Sequence, residues 1–118
     1  MDQTVIELAA LDRLEEWGGA DLKRQMVRLF LESAPERIDQ IRTCEDDDPG
    51  DIPERGSHSL KSSAANVGAQ EVRRLAEEIE GHAANGDLDT VRALVPKIEA
   101  AFDRARDALE PLTLGPPE

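Results

Sequence analysis

Apolar residues recur along this chain at intervals of three and four, and no segment alternates at period two, so the pattern predicts helices and no strands. A first short helix is expected over residues 5–16, with Ile6, Leu8, Leu11 and Leu14 available for burial. Thr4 followed by Glu7 has the form of a capping box, and Gly18-Gly19 marks the end. Trp17 is expected to pack over the end of the assembled helices. A second helix is expected over 21–43, where Leu22, Met26, Leu29, Phe30, Ala34, Ile38 and Ile41 keep the spacing through several turns. Pro35 falls inside that pattern and should kink the helix, because the periodicity continues beyond it.

Residues 45–51, rich in acid with Pro49 and Gly50, break the pattern. They lack the alternating ligands and distal Glu of a calcium loop, so they read as a turn whose charge suits a helix N-terminus. Asp51 and Glu54 offer a second capping box, with Pro53 tolerable in the first turn. A third helix is expected over 52–67, with Gly68 as its flexible terminus. A fourth spans 69–84, with Val72, Leu75, Ala76, Ile79 and Ala83 inward. A fifth begins at Asp87 as N-cap and carries Leu88, Val91, Leu94, Val95, Ile98, Phe102, Ala105, Leu109 and Leu112, bending at Pro96. Residues 113–118 read as a frayed tail. Short connections favour antiparallel neighbours. The expected fold is therefore all-α: an antiparallel up-down four-helix bundle with a short additional N-terminal helix capping one end. It forms a single domain over 1–118, with an ordered core over about 5–112.

Composition narrows the function classes. The net charge is −12, from 26 acids against 14 bases, which leaves no basic footprint for nucleic acid and disfavours anionic lipid. No stretch is long and apolar enough for a membrane span, and no signal peptide is evident at the start. The single cysteine, Cys44, excludes an internal disulfide and fits a reducing compartment, so a cytoplasmic location is expected; a monomer is expected as well. No partners for a metal or redox role of Cys44 are evident. With three aromatics and no Tyr, the core must be aliphatic.

The chemistry gathers in residues 57–69. At 100° per residue, Leu60, Ala64 and Val67 fall on one side of the third helix, and Lys61, Ser62 and Ala65 fall beside His58 on the other. A lone surface histidine is ordinarily a solvated one. An ordinary solvent face, however, carries long charged side chains, whereas the positions beside His58 are small. Such a face suits a partner that must come close to the imidazole. Glu54 and Arg55 fall at its edge, so Glu54, Arg55, Ser62 and Ala65 are the candidate partner-binding residues. His82 has Asn85, not lysine, three residues on and lies in a helix's last turn. It is assigned no relay role.

His58, Leu60, Lys61, Ser63, Ala64, Val67, Gly68 and Ala69 stand in the register His-x-Leu-Lys-Gly-small-small-x-x-hydrophobic-Gly-Ala, and the segment resembles the histidine-containing phosphotransfer (HPt) domain. Ser62 departs from it, standing where that family usually has Gly. Weaker resemblance on both sides extends over roughly residues 5–112. The resemblance implies a phosphorelay protein that accepts a phosphoryl group on His58 and passes it on, with Lys61 stabilising the phosphoryl oxygens. Lys61 should also disfavour a second positive charge on His58. The resemblance further implies that Nε2 is the phosphorylated atom and that a polar neighbour holds Nδ1, with Glu and Arg residues of the fourth helix as candidates. The implied partner is a response-regulator receiver domain, or a hybrid sensor kinase bearing one. The receiver would supply the acidic pocket and Mg²⁺, so no cofactor is expected in this chain. No Gly-rich phosphate loop or ATP-binding portion is present, so the chain reads as a carrier and not a kinase. Two alternatives remain: an acidic helical adaptor that only binds a receiver, and the phosphoacceptor segment of a chemotaxis-type kinase.

Overall fold

The computed structural model describes residues 6–44 and 51–113. They form α1 (Leu8–Arg42), α2 (Asp51–Val67), α3 (Gln70–Ala84) and α4 (Leu88–Leu109), followed by a 3₁₀ turn at Glu110–Thr113. Helix α2 packs on α1 and α3, and α4 packs on α3 and α1, closing an all-α bundle. The core is aliphatic, with Val27, Ile41, Leu60, Val67, Ile79, Val91, Ile98 and Leu109 all wholly buried. Phe30 and Phe102 meet edge to face inside it, 5.7 Å between centroids.

The two expected N-terminal helices form one run, interrupted at Gly18 (φ −151°, ψ 16°) and Gly19 (φ 74°, ψ −172°). The left-handed φ at Gly19 is why the diglycine breaks the helix axis. Residues 8–17 form an arm that buries Ala10, Leu11 and Leu14. Lys23 bonds to Glu15 at 2.6 Å across the break. Helix α1 passes through Pro35 with helical backbone angles, as α4 does through Pro96, so neither proline interrupts its helix as the diglycine does.

Three apolar positions differ from expectation. Trp17 is 73 % exposed and does not cover the bundle end; the arm stops there, leaving the indole beyond the last buried turn. Leu8 is 68 % exposed, and Ala10 takes the inward place instead. Leu29 is 57 % exposed while Val27 is fully buried. The stripe set by Val27, Phe30, Ala34, Ile38 and Ile41 fixes the register of α1, and Leu29 falls roughly 140° from its centre.

The arm is tied to the α2–α3 turn by backbone. The Glu7 N–H donates to the Gly68 carbonyl at 2.8 Å, and Ile6 pairs with Ala69 in an isolated antiparallel bridge. Gly68 has φ 75°, and a Cβ there would collide with the Glu7 carbonyl. Thus Gly68 is a close-approach residue, not a flexible terminus. Glu7 is the residue before α1, and its carboxylate accepts from Gln70 Nε2 at 3.0 Å. The expected capping partner Thr4 lies outside the described residues, as do the acidic turn at 45–50 and the tail at 114–118. Asp87, the expected N-cap of α4, accepts from the Thr90 amide at 3.2 Å, whereas α3 starts after Ala69 without a side-chain cap. Asp51 lies within α2.

Gly68→Ala combines left-handed strain with a steric clash. We expect it to cost about 2 kcal/mol or more. Chemical denaturation should show a lower midpoint, and the Glu7 amide should lose hydrogen-exchange protection. An unchanged midpoint would mean that the arm contributes nothing to the fold.

Candidate functional site

Helix α2 presents two faces. Leu60, Ala64 and Val67 are wholly buried, while His58, Ser62 and Ala65 are exposed on the opposite side. Ser57, beside His58 in sequence, is fully buried. Its hydroxyl donates back to the carbonyls of Pro53 at 2.7 Å and Glu54 at 3.0 Å, so it enters the core without an unsatisfied polar atom. Together these burials fix the rotation of α2, and with it the outward direction of His58.

The imidazole is 62 % exposed yet held at one end. His58 Nδ1 lies 2.6 Å from Glu80 Oε2, and Lys61 Nζ donates to Glu80 Oε1 at 2.6 Å. One carboxylate on α3 therefore fastens both the histidine and the lysine of α2. The hydrogen bond from Lys61 holds the Glu80 carboxyl below its ordinary value of 4.5; partial burial opposes this and the bond to His58 adds to it. An ionised carboxylate only accepts, so in the neutral ring Nδ1 carries the proton. The Nε2 lone pair is left facing solvent, in the arrangement of a pre-oriented nucleophile.

Glu80 is the residue that sequence reasoning left unassigned among the charged residues of the fourth helix. A signal was present. Val72, Ala76, Ile79 and Ala83 define the inward stripe of α3, and Glu80 lies roughly 70° from its centre. Glu77 and Glu78 point further away and pair with Arg73 and Arg74 on their own helix. Lys61 is half-buried, with its ammonium bonded to Glu80.

Glu54 and Arg55 line a shallow depression together with His58, Ser59 and Glu80. Ser62 and Ala65 leave the next turn open, and the Ser62 hydroxyl has no hydrogen-bond partner among the described residues. His82 lies apart from this face, with Nδ1 3.6 Å from Asp87 Oδ2 at the turn into α4. Cys44 is buried, and the described residues hold no group of three or more His, Cys, Asp or Glu placed to bind a metal. None of their helices is long and apolar enough to cross a membrane.

The chain is similar in structure to histidine-containing phosphotransfer protein B (HptB) from Pseudomonas aeruginosa PAO1, with a TM-score of 0.83 at 21 % identity over 93 % of this chain and 95 % of that one. At that identity the likeness shows a shared all-α fold. No curated protein matches the chain. The model of the Hpt domain matches residues 25–108, a span that contains His58, Lys61 and Glu80. The chain belongs to the Hpt domain family.

Proposed function

We propose that this protein is a phosphorelay carrier that accepts a phosphoryl group on His58 Nε2 from the aspartyl phosphate of a receiver domain and returns it to another. The observation that carries the reading is the pair of hydrogen bonds that Glu80 accepts, from His58 Nδ1 and from Lys61 Nζ, beneath an exposed imidazole. In the forward step the Nε2 lone pair attacks phosphorus, a P–N bond forms, and the P–O bond to the aspartate breaks. The aspartate leaves as a carboxylate. No proton needs to move, because the ring keeps its Nδ1 hydrogen. The positive charge that the ring acquires is offset by the Glu80 carboxylate already bonded to it. Lys61, one helical turn from His58, meets the phosphoryl oxygens from the same side. Reversal of these bonds charges the next receiver.

Mg²⁺ belongs to the partner's acidic pocket in this reading. The surface that admits that pocket is formed by Glu54, Arg55, Ser62 and Ala65. The protein acts as a monomer in the cytoplasm and carries no kinase activity of its own. Two incubations test the proposal. Labelled ATP alone should leave the chain unlabelled, whereas a phosphorylated receiver should give acid-labile, alkali-stable label. Self-labelling from ATP would point to a kinase. Stable binding of receivers without label would point to an adaptor.

Ser62 gives a second test, since it stands one turn beyond His58 where the family's motif has Gly. Ser62→Gln should keep the bundle stable yet transfer poorly, because a long side chain covers the approach. Ser62→Gly should transfer at least as fast, while losing roughly 0.5–1 kcal/mol of stability to helix entropy. Single-turnover transfer with both variants measures this. Normal rates for Ser62→Gln would remove the steric role of position 62.

A further inference from the structure

Arg37 stands out among the arginines. Every other arginine of the chain has an Asp or Glu three or four residues away, within helical reach. Around Arg37 those positions hold Ser33, Ala34, Gln40 and Ile41. Among the described residues the Arg37 side chain makes no hydrogen bond or ion pair. In a chain of net charge −12, a cation at the surface without a counterion among the described residues is open to an acidic partner. Its position gives it a use. Arg37 and Gln40 of α1 face Arg55, Gly56 and Ser59 of α2 across a surface groove. Arg55 and Ser59 also line the His58 depression, so groove and depression are continuous. On the α3 flank of His58, the cation Lys61 is bonded to Glu80 and serves the phosphoryl group. On the α1 flank, Arg37 remains available.

From this we infer that Arg37, with Gln40 beside it, forms a carboxylate-binding subsite that engages an Asp or Glu side chain of the protein docking over His58. A guanidinium presents paired N–H donors that match a carboxylate, and Gln40 adds an amide. The phosphoryl group is not the occupant, because it must lie in line with Nε2 and within reach of Lys61 on the other flank. The subsite is thus a specificity determinant, selecting partners with an acidic residue at the matching rim position. It acts on docking and not on the chemical step. The inference rests on the relay reading proposed above.

The test uses the full chain and receiver domains charged with a small acyl phosphate. For a receiver that labels the wild-type chain, Arg37→Ala should raise KM about tenfold while leaving kcat nearly unchanged, as expected for a charge at the edge of an interface. Arg37→Glu should raise it further, and Arg37→Lys should recover part of the loss. Raising salt should weaken wild-type transfer more than transfer to Arg37→Ala. An Asp or Glu to Arg change on the receiver's rim should restore transfer to Arg37→Glu. If no receiver labels the wild-type chain, the relay reading fails and this inference falls with it. If wild type and Arg37→Ala share the same KM and salt dependence, the relay stands and the carboxylate subsite is overturned.

Discussion

Replacing His58 with glutamine is expected to abolish phosphoryl acceptance while leaving the fold intact. The imidazole is mostly exposed, and glutamine is a good helix former, so stability should move by no more than about 0.5 kcal/mol. Amide nitrogen is no nucleophile, and no neighbour can substitute for Nε2. Ser59 and Ser62 carry hydroxyls nearby, but no general base addresses them: Ser62 has no hydrogen-bond partner among the described residues. His82→Gln is the matched control and should accept label normally. Its ring faces Asp87 across 3.6 Å at the end of α3 and has no lysine one turn on. Circular dichroism and transfer assays on both variants check this pair. Label retained in His58→Gln, or lost in His82→Gln, would move the acceptor elsewhere.

Glu80→Ala should have the next largest effect. The substitution frees the imidazole to rotate, removes the acceptor that fixes its proton on Nδ1, and releases Lys61. Loss of orientation on this scale slows transfer on the order of a hundredfold. Glu80→Gln should fall between, because its amide oxygen can still accept from Nδ1 while the negative charge is gone. An orienting role makes a claim that a purely structural one does not. Nitrogen chemical shifts should show one tautomer of neutral His58 in the wild type and a mixture in Glu80→Ala. Equal tautomer populations in both proteins would leave Glu80 as a packing residue.

The same carboxylate sets a pH dependence whose sign follows from its shift. Lys61 first, then His58, hold the Glu80 carboxyl below its ordinary value, against the opposing effect of burial. Its contribution to stability is therefore present in full above 4.5 and is lost as pH falls through the depressed folded value. Wild type should exceed Glu80→Gln in denaturation midpoint at neutral pH, and the gap should close in the acid range. A gap that widened with acid would contradict the assignment of the shift.

The helices were largely legible from periodicity, because an aliphatic core imposes its spacing on every segment that touches it. The misplaced residues share a cause. Leu29 and Leu8 are apolar, and hydrophobicity alone cannot distinguish an inward leucine from one just off the stripe. Smaller Val27 and Ala10 fill the inward places. Trp17 failed for another reason: the diglycine break sets where the arm ends, and local pattern does not reveal what the next turn covers. Within the site, His58 and Lys61 were legible because they lie one turn apart on one helix. Glu80 is far from them in sequence, and the pairing of α2 with α3 brings it to them. Its place at the edge of the α3 stripe was a usable signal, but the register between two helices is a tertiary quantity. That Arg37 has no acid within helical reach could be read from its neighbours, whereas the groove that it lines could not.

The central claim is that Nε2 of His58 carries the phosphoryl group while Glu80 holds Nδ1. Phosphorus–nitrogen correlated NMR of the chain, charged by a phosphorylated receiver, tests it most directly. The geometry predicts phosphorus coupled to Nε2 of His58, with Nδ1 still protonated and its hydrogen shifted downfield by the bond to Glu80. Phosphorus on Nδ1, on His82 or on a serine oxygen would contradict it.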